Sequence, residues 1–198
     1  MIAEPETRGR ILAAAKQALL AIGFAHLSTR KIAELAGVPL SQIHYHFGSK
    51  QNLVLAVLAE ENRKLLERQA SMYQSEMPLW KQWEQACDYL EDDLASGYVR
   101  VLHEMVAAGW SDGEIAAQVG QYLRGWFDLL TMVAEGAQQT IGGLGPFTPR
   151  EVAALAGLPF VGAESLILLG IGEESIPARG ALRKVGEVFR AFEEGARP

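Results

Sequence analysis

Residues 27–53 read LSTRKIAELAGVPLSQIHYHFGSKQNL, and this stretch decides the fold. Ser28 is a suitable N-cap for a first short helix, whose apolar residues fall on one side. Gly37 follows that helix where the chain must turn sharply, and glycine tolerates a positive φ there at little cost. A second helix is predicted from Pro39 to Tyr45. This layout is that of a helix-turn-helix, whose second helix enters the major groove of DNA.

A third helix start follows directly, at Gly48-Ser49-Lys50. Gly48 ends the second helix and Ser49 can cap the next one. A lysine in the first turn opposes the helix dipole. Together with the free N–H groups of a helix start, however, a lysine can bind phosphate. We therefore predict that Lys50 contacts the DNA backbone; a surface lysine in a tolerant position is the alternative.

Residues 37–53, GVPLSQIHYHFGSKQNL, resemble the TetR family of bacterial transcriptional repressors, which carry GVS, then Tyr-aromatic-His-Phe, then Ser/Asn-Lys-x-x-Leu. STRKIAELAG, residues 28–37, looks like the second helix of that family, and the resemblance covers roughly residues 8–58. Two positions depart from the pattern. Pro39 stands where a serine N-cap is usual, and His44 stands where a tyrosine is usual.

The resemblance implies an all-α protein with two parts. Residues 1–53 would form an N-terminal three-helix, helix-turn-helix DNA-binding head, and residues 54–198 a larger helical ligand-binding and dimerisation body. It implies a homodimeric repressor released from a palindromic, double-stranded operator by a small, largely apolar or aromatic effector. Two reading helices about 34 Å apart meet successive major grooves. The effector would favour a spacing of the heads that no longer fits. A constitutive DNA-binding protein without an effector is an alternative.

Donor chemistry and placement assign roles within the head. The residues expected at the DNA are Thr29, Arg30, Ser41, Gln42, His44, Tyr45, His46 and Lys50. Gln42 lies mid-way along the second helix and can bond base edges. The resemblance suggests a phosphate or base-edge contact for Arg30, while the hydroxyl, imidazole and ammonium groups suit phosphate oxygens. His44 and His46 point in different directions on a helix, so we expect no metal there.

Composition and charge fit this assignment. Hydrophobic residues make up 49% of the 198 residues and charged residues 21%, which is ordinary for a globular protein. The net charge of −6 alone argues against nucleic acid, but residues 1–53 hold six Lys and Arg against three acids. A basic head on an acidic body suits a protein that presents one end to DNA. The single cysteine, Cys87, predicts no disulfide and fits a cytoplasmic location.

Beyond the head, only helical periods are found. Helices are predicted over residues 7–22, 49–72, 78–95, 98–108, 111–141, 148–169 and 177–194. The middle helices carry an unusual number of aromatic and sulfur-containing residues, which are most simply core. As the resemblance implies an effector pocket in this region, we take as its lining Trp83, His103, Met105, Tyr122 and Trp126. No cofactor is expected.

The last two helices carry more apolar surface than one chain covers. Small residues would permit close approach, and large ones supply area: Ala154, Gly157, Gly162, Ala163, Leu166, Leu169, Val188 and Phe192. We predict a four-helix interface with a second copy; an intrachain core is the alternative. Val152–Gly172 is also about long enough to span a bilayer. It contains Glu164 and Pro159, so we interpret it as a buried interface helix and expect no membrane contact.

One motif suggests an enzyme. Gly109-Trp110-Ser111-Asp112-Gly113 matches the G-x-S-x-G nucleophile elbow of hydrolases, which requires a strand before it and a helix after it. The preceding residues have helical character, and Ser111 with Glu114 instead predicts a capping box. We therefore expect no enzyme; a serine hydrolase using Ser111 is the alternative, and a strand before Gly109 would support it.

Overall fold

The computed structural model describes residues 4–195, and within that range the backbone forms nine α-helices and no strand. The all-α prediction is confirmed. The ends of the two predicted domains, residues 1–3 and 196–198, lie outside the described range. The helices are α1 Glu4–His26, α2 Thr29–Ala36, α3 Leu40–Phe47, α4 Lys50–Tyr73, α5 Leu79–Ser96, α6 Tyr98–Gly109, α7 Gly113–Ile141, α8 Pro149–Leu168 and α9 Ala178–Gly195.

Two compact units divide these helices. The first comprises the residues up to Lys64 together with Gly97–Tyr122, and the second comprises Leu65–Ser96 together with the residues from Leu123 onward. Helices α4 and α7 contribute residues to both. The predicted division at residue 53 separates parts by function and stays a prediction, while packing extends the first unit beyond it.

The first unit is built around an aliphatic core drawn from α1, α2, α3, α4 and α6. α1 packs on α2 and α6, and α2 packs on α3. The largest fully buried side chains are Ile11, Leu19, Ile32, Ile43, Leu53, Val54, Leu58, Val99, Val101 and Met105. At roughly 25 cal/mol per Å² of apolar surface removed from water, such side chains supply most of the driving force for the unit.

Local signals at the helix-turn-helix act as the sequence predicts. The Ser28 hydroxyl accepts a hydrogen bond from the Lys31 N–H at 3.2 Å and so caps α2. Gly37 ends α2 in the left-handed region, with φ 62°. Pro39 is not in the first turn of α3 as predicted, but is its N-cap, with extended backbone and no side-chain cap bond. The helix therefore runs Leu40–Phe47, two residues past the predicted end.

Two other helix ends differ from prediction. The sequence predicts that α1 stops at Gly23, yet helical bonding resumes to His26 across a kink at which Gly23 has φ 76° and ψ 165°. It also predicts that Ser111 caps α7. Instead, the Asp112 carboxylate accepts from the backbone N–H groups of Glu114 and Ile115 at 3.0 and 3.1 Å. The predicted Ser111–Glu114 capping box is thus wrong, because the Asp112 carboxylate takes the Glu114 N–H that the Ser111 hydroxyl was predicted to accept.

The second unit has an aromatic core between α5, α8 and α9. The Trp83 ring lies edge-on to Phe160 at 5.2 Å and to Phe189 at 5.1 Å, and its indole N–H donates to the Leu182 carbonyl at 2.6 Å. Cys87 is buried in the same cluster as a free thiol, and burial raises its pKa to about 11. Trp83 is therefore a central packing residue of this unit.

Helix α8 begins at the predicted capping box. Thr148 and Glu151 exchange side-chain to backbone bonds at 3.3 and 2.8 Å. Gly157 is buried within the chain: a Cβ there would lie 2.6 Å from a ring carbon of Phe127, so this glycine serves intrachain packing and not approach by a partner. By length and composition α8 could cross a membrane, a test that core helices also pass.

Candidate nucleic-acid interface

Helix α3 turns its apolar residues inward and leaves a polar outer face. Ile43 and Phe47, four residues apart, are buried, which fixes the helix against α2. The same rotation exposes Ser41, His44 and Tyr45, and the Tyr45 side chain is 71% exposed. A helix anchored on one side and polar on the other can reach a groove without losing its own packing.

The eight residues predicted to contact DNA all lie on α2, α3 or the first residue of α4. On α2, Arg30 is exposed and Thr29 is half-buried at the first position after the Ser28 cap. On α3, Gln42 is half-buried beside exposed Ser41. The structure therefore brings these groups onto consecutive helices, of which α2 and α3 pack on each other.

His44 is turned back onto its own helix end. Its Nδ1 lies 3.1 Å from the carbonyl oxygen of Gly48. Because a carbonyl only accepts, Nδ1 carries the hydrogen and donates it. The ring thus caps the carboxyl end of α3, and its Nε2 is the nitrogen left for any other contact.

His46 is half-buried, whereas its neighbour Tyr45 is exposed. The two rings meet edge-on at 5.0 Å, and the His46 Nε2 is buried with no hydrogen-bond partner among the described residues. A buried polar atom without a partner is unusual in a folded protein. A phosphate contact of His46 through Nε2 would require that this atom be uncovered.

Lys50 has an intramolecular role that the sequence did not reveal. Its ammonium donates to the Phe24 carbonyl oxygen at 3.1 Å and lies 4.5 Å from the centre of the Phe24 ring. A lysine ammonium has three hydrogens, so two remain for a phosphate. Lys50 therefore links the start of α4 to the end of α1, whether or not it also meets DNA.

The five residues predicted to line an effector pocket are divided between the two units. His103, Met105 and Tyr122 belong to the first and Trp83 and Trp126 to the second. Met105 is fully buried, and burial raises the pKa of the half-buried Tyr122 phenol. That the five form a single lining therefore stays a prediction.

A polar group beside Trp126 escaped the sequence reasoning. The Trp126 indole N–H donates to the Gln69 side-chain oxygen at 2.8 Å. One residue earlier, Arg68 pairs with Asp93 at 2.7 Å and stacks on the Tyr89 ring at 4.1 Å. Burial raises the pKa of Asp93 although Arg68 opposes the shift. A paired charge inside a helical bundle was not visible from residue spacing, since its members are 25 positions apart.

The hydrolase interpretation of Ser111 is contradicted. α6 runs to Gly109 and α7 begins at Gly113, so the motif lies in a turn between two helices. A nucleophile elbow needs a strand on its amino-terminal side. Gly109 is instead explained by the close packing of this turn, because a Cβ on it would lie 3.1 Å from the Ala116 Cα. Its match to the hydrolase motif is a coincidence.

Comparison with known proteins supports the head and the fold separately. The family model described as "Bacterial regulatory proteins, tetR family" matches residues 11–57. The HTH-type transcriptional regulator TtgR of Pseudomonas putida is 45% identical over 53 residues, 27% of this chain and 25% of that protein. The same figures hold for the probable HTH-type transcriptional regulator ArpR of the same species. The match spans about a quarter of the length of these curated relatives.

A solved structure covers nearly the whole chain. A putative TetR-family transcriptional regulator from Rhodococcus sp. superposes with a TM-score of 0.77 at 19% identity, over 93% of this chain and 98% of the other. At this identity the likeness shows the fold alone.

Proposed function

We propose that this chain is a cytoplasmic repressor that binds a palindromic DNA operator as a homodimer, because its residues 11–57 match the model of the TetR family of bacterial regulatory proteins. The observation that carries this is the outer face of α3. Ile43 and Phe47 hold the helix by its inner side, while Tyr45 and the polar residues beside it remain exposed. Such a helix suits the major groove.

The contacts divide by chemistry. Gln42 presents an amide that can both donate and accept, which suits a base edge. Thr29, Arg30, Ser41 and Tyr45 supply hydroxyl and guanidinium donors for phosphates. Lys50 reaches a phosphate with the ammonium hydrogens that Phe24 leaves unused. His44 and His46 contribute less, because His44 caps its own helix and the His46 Nε2 is covered.

Dimerisation is supported by apolar side chains on α8 and α9 that the chain itself leaves in water. The exposed large residues there are Leu155, Leu158, Leu168, Val188 and Phe192. Of the small residues predicted at this interface, Gly162 is open to the outside, whereas Gly157 and Ala163 pack within the chain. Burying these side chains against a second copy would form a four-helix interface, and would give the twofold symmetry that a palindrome requires.

An effector site is supported by the polar group beside Trp126. Gln69, Arg68 and Asp93 offer donors and acceptors next to the Tyr89 and Trp126 rings. A solved neighbour of this fold is Bacillus subtilis FadR in complex with stearoyl-CoA, with a TM-score of 0.76 at 14% identity over 91% of this chain and 96% of that one. We propose a small effector, largely apolar or aromatic. Constitutive binding without an effector is the second candidate, favoured by the role of Trp83 in the core.

The test is selection of DNA from a random pool by the purified protein. The expected result is one enriched palindrome, bound by two chains and released by an apolar or aromatic compound. A variant in which both Gln42 and Tyr45 are alanine should enrich nothing while keeping its helical content. Enrichment of no sequence, or of a site without twofold symmetry, would overturn the proposed function; enrichment with no release by any compound would favour the constitutive alternative.

A further inference from the structure

The end of α1 contains a break that α6 closes. In a regular helix the Phe24 N–H donates to the Leu20 carbonyl, four residues earlier. Gly23 leaves the helical region between them, with φ 76° and ψ 165°, so neither group has its helical partner. Buried or half-buried backbone groups in this position need another partner.

Two side chains of α6 replace the missing bond. The Glu104 carboxylate accepts the Phe24 N–H through Oε2, and the Arg100 guanidinium donates to the Leu20 carbonyl through Nη1 at 2.8 Å. Arg100 Nε also donates to Glu104 Oε1 at 3.1 Å, so each side chain holds the other in place. Both new bonds are charge-assisted, the stronger class of hydrogen bond.

The first turn of α6 lies equally close to α1. Gly97, the residue before α6, has φ 80°, and a Cβ there would lie 2.5 Å from the Leu20 Cδ2. Leu20 thus meets α6 through both its side chain and its carbonyl. A side chain at Gly97 would require the Leu20 side chain to shift, and the positive φ of Gly97 would strain it in addition.

The Leu20–Phe24 segment is also contacted by Lys50 of the DNA-binding head. Lys50, the first residue of α4, donates to the Phe24 carbonyl and covers the Phe24 ring. The Phe24 N–H therefore donates to Glu104 of α6, and the Phe24 carbonyl accepts from Lys50 of α4. The chain enters α2 only five residues later, at Thr29.

We propose that Arg100 and Glu104 are positioning residues for the DNA-reading helices, acting through the α1 break. This rests on the proposed function. The pair touches no DNA; it fixes the Leu20–Phe24 segment, and that segment sets where α2 begins and where Lys50 is held. A displacement of α6 would move Arg100 and Glu104 together, and through their bonds to Leu20 and Phe24 it would shift the start of α2 and the position of Lys50.

The first test needs no DNA. Amide hydrogen exchange is followed in the wild type and in Glu104→Ala, Glu104→Gln and Glu60→Ala. Glu60 is the control: it also makes an i,i+4 ion pair in the first unit, with Lys64 at 3.6 Å, and its side chain is somewhat more exposed than that of Glu104. Loss of a charge-assisted bond predicts about tenfold faster exchange of Phe24 and of α2 in Glu104→Ala. Glu104→Gln, which keeps an acceptor oxygen, should exchange more slowly than Glu104→Ala.

The outcomes separate cleanly. Faster exchange at Phe24 and in α2, absent in Glu60→Ala, supports positioning. Faster exchange confined to Phe24, or equal changes in both variants, overturns it. These readouts hold even if the protein selects no operator, in which case only the proposed function fails.

Operator affinity gives the second test. Removing an acid from a DNA-binding unit would by charge alone strengthen binding to any DNA. Positioning instead predicts that Glu104→Ala weakens operator binding about tenfold, with its salt dependence unchanged and nonspecific binding no weaker. Tighter or unchanged operator binding by a folded Glu104→Ala protein overturns the proposal.

Discussion

Helices α3 and α8 obey the same packing rule and yet present opposite surfaces to water. α3 buries Ile43 and Phe47 and leaves a polar face outward. α8 buries Ala153, Gly157, Phe160 and Ala163 and leaves leucines outward. Burial within one chain explains the inner face of each helix, but only the outer face indicates a partner. A polar face with donors suits phosphate and bases, whereas an apolar one suits another protein surface.

The two units also differ in how well their partly buried carboxylates are paired with cations. In the first unit, Lys16 and Glu61 join α1 to α4 at 2.6 Å, and Glu61 has a second lysine beside it. In the second unit, Asp93 pairs with a single arginine and remains poorly compensated for burial. The pKa of a partly buried carboxylate is therefore lowered in the first unit, at Glu61, and raised in the second, at Asp93.

The largest expected effect concerns the apolar face. Leu158→Glu should raise the dimer dissociation constant about a hundredfold or more, because burying an unpaired carboxylate is costly. Leu158 is 59% exposed within one chain, so the monomer should still fold. Leu35→Glu is the matched control, since Leu35 is a 46% exposed leucine on α2. Analytical ultracentrifugation distinguishes the two; a dimeric Leu158→Glu protein would place the interface elsewhere.

On the polar face, Gln42→Ala should weaken operator binding by about 1–3 kcal/mol and relax preference at one base-pair position of each half-site. The reason is loss of a donor and acceptor at a base edge. Binding to a panel of single-position operator variants measures it. A uniform loss over all variants would reassign Gln42 to a backbone contact.

A smaller effect is expected for Lys50→Ala. It should weaken binding to all sequences alike, by about tenfold at low salt, and reduce the slope of log affinity against log salt by about 1. Titrations at several salt concentrations measure the slope. If affinity falls while the slope stays unchanged, Lys50 acts only through Phe24 and not through a phosphate.

The smallest effect is a difference in acid response. Burial alone would raise the pKa of Glu61, but bonds from Lys16 and Lys64 outweigh it and lower that pKa below 4.5. Its stabilising contribution is therefore present above pH 4.5 and lost as the pH falls through the folded value. Burial raises the pKa of Asp93 above 3.8, so its charged form destabilises the fold at neutral pH, and acidification relieves this.

Two variants separate these contributions. Glu61→Gln should flatten the loss of unfolding free energy below pH 4.5, while Asp93→Asn should make that loss steeper by removing an opposing term. Urea denaturation at a series of pH values measures both. Equal pH dependence in the two variants would contradict the opposite signs of the pKa shifts.

Much of the fold follows from short-range signals. Ser28, Gly37 and Thr148 each act on groups within four residues, and each was predicted in its observed role. Where two capping residues stood side by side, at Ser111 and Asp112, local reasoning selected the wrong one, because either side chain can in principle accept from the Glu114 N–H.

The contacts around the predicted DNA-binding site could not be predicted from the sequence, because they join residues that are far apart along the chain. The bond from Lys50 to Phe24 spans 26 positions, and that from Glu104 to Phe24 spans 80. No periodicity encodes such pairs; they arise when helices pack. Residue chemistry therefore nominates side chains for contact with DNA, which stays a prediction, but it does not reveal which of them are already engaged within the chain.

The state of Cys87 has a practical consequence. It is the single cysteine of the chain, it is buried, and its pKa is about 11. Since the thiolate is the reactive form, roughly one thiol in ten thousand is ionised at neutral pH. A cysteine introduced on an exposed helix face would then take a maleimide dye or nitroxide alone, with the native residue left in place. Pulsed electron paramagnetic resonance between two such labels could measure separations in solution without first rebuilding the core.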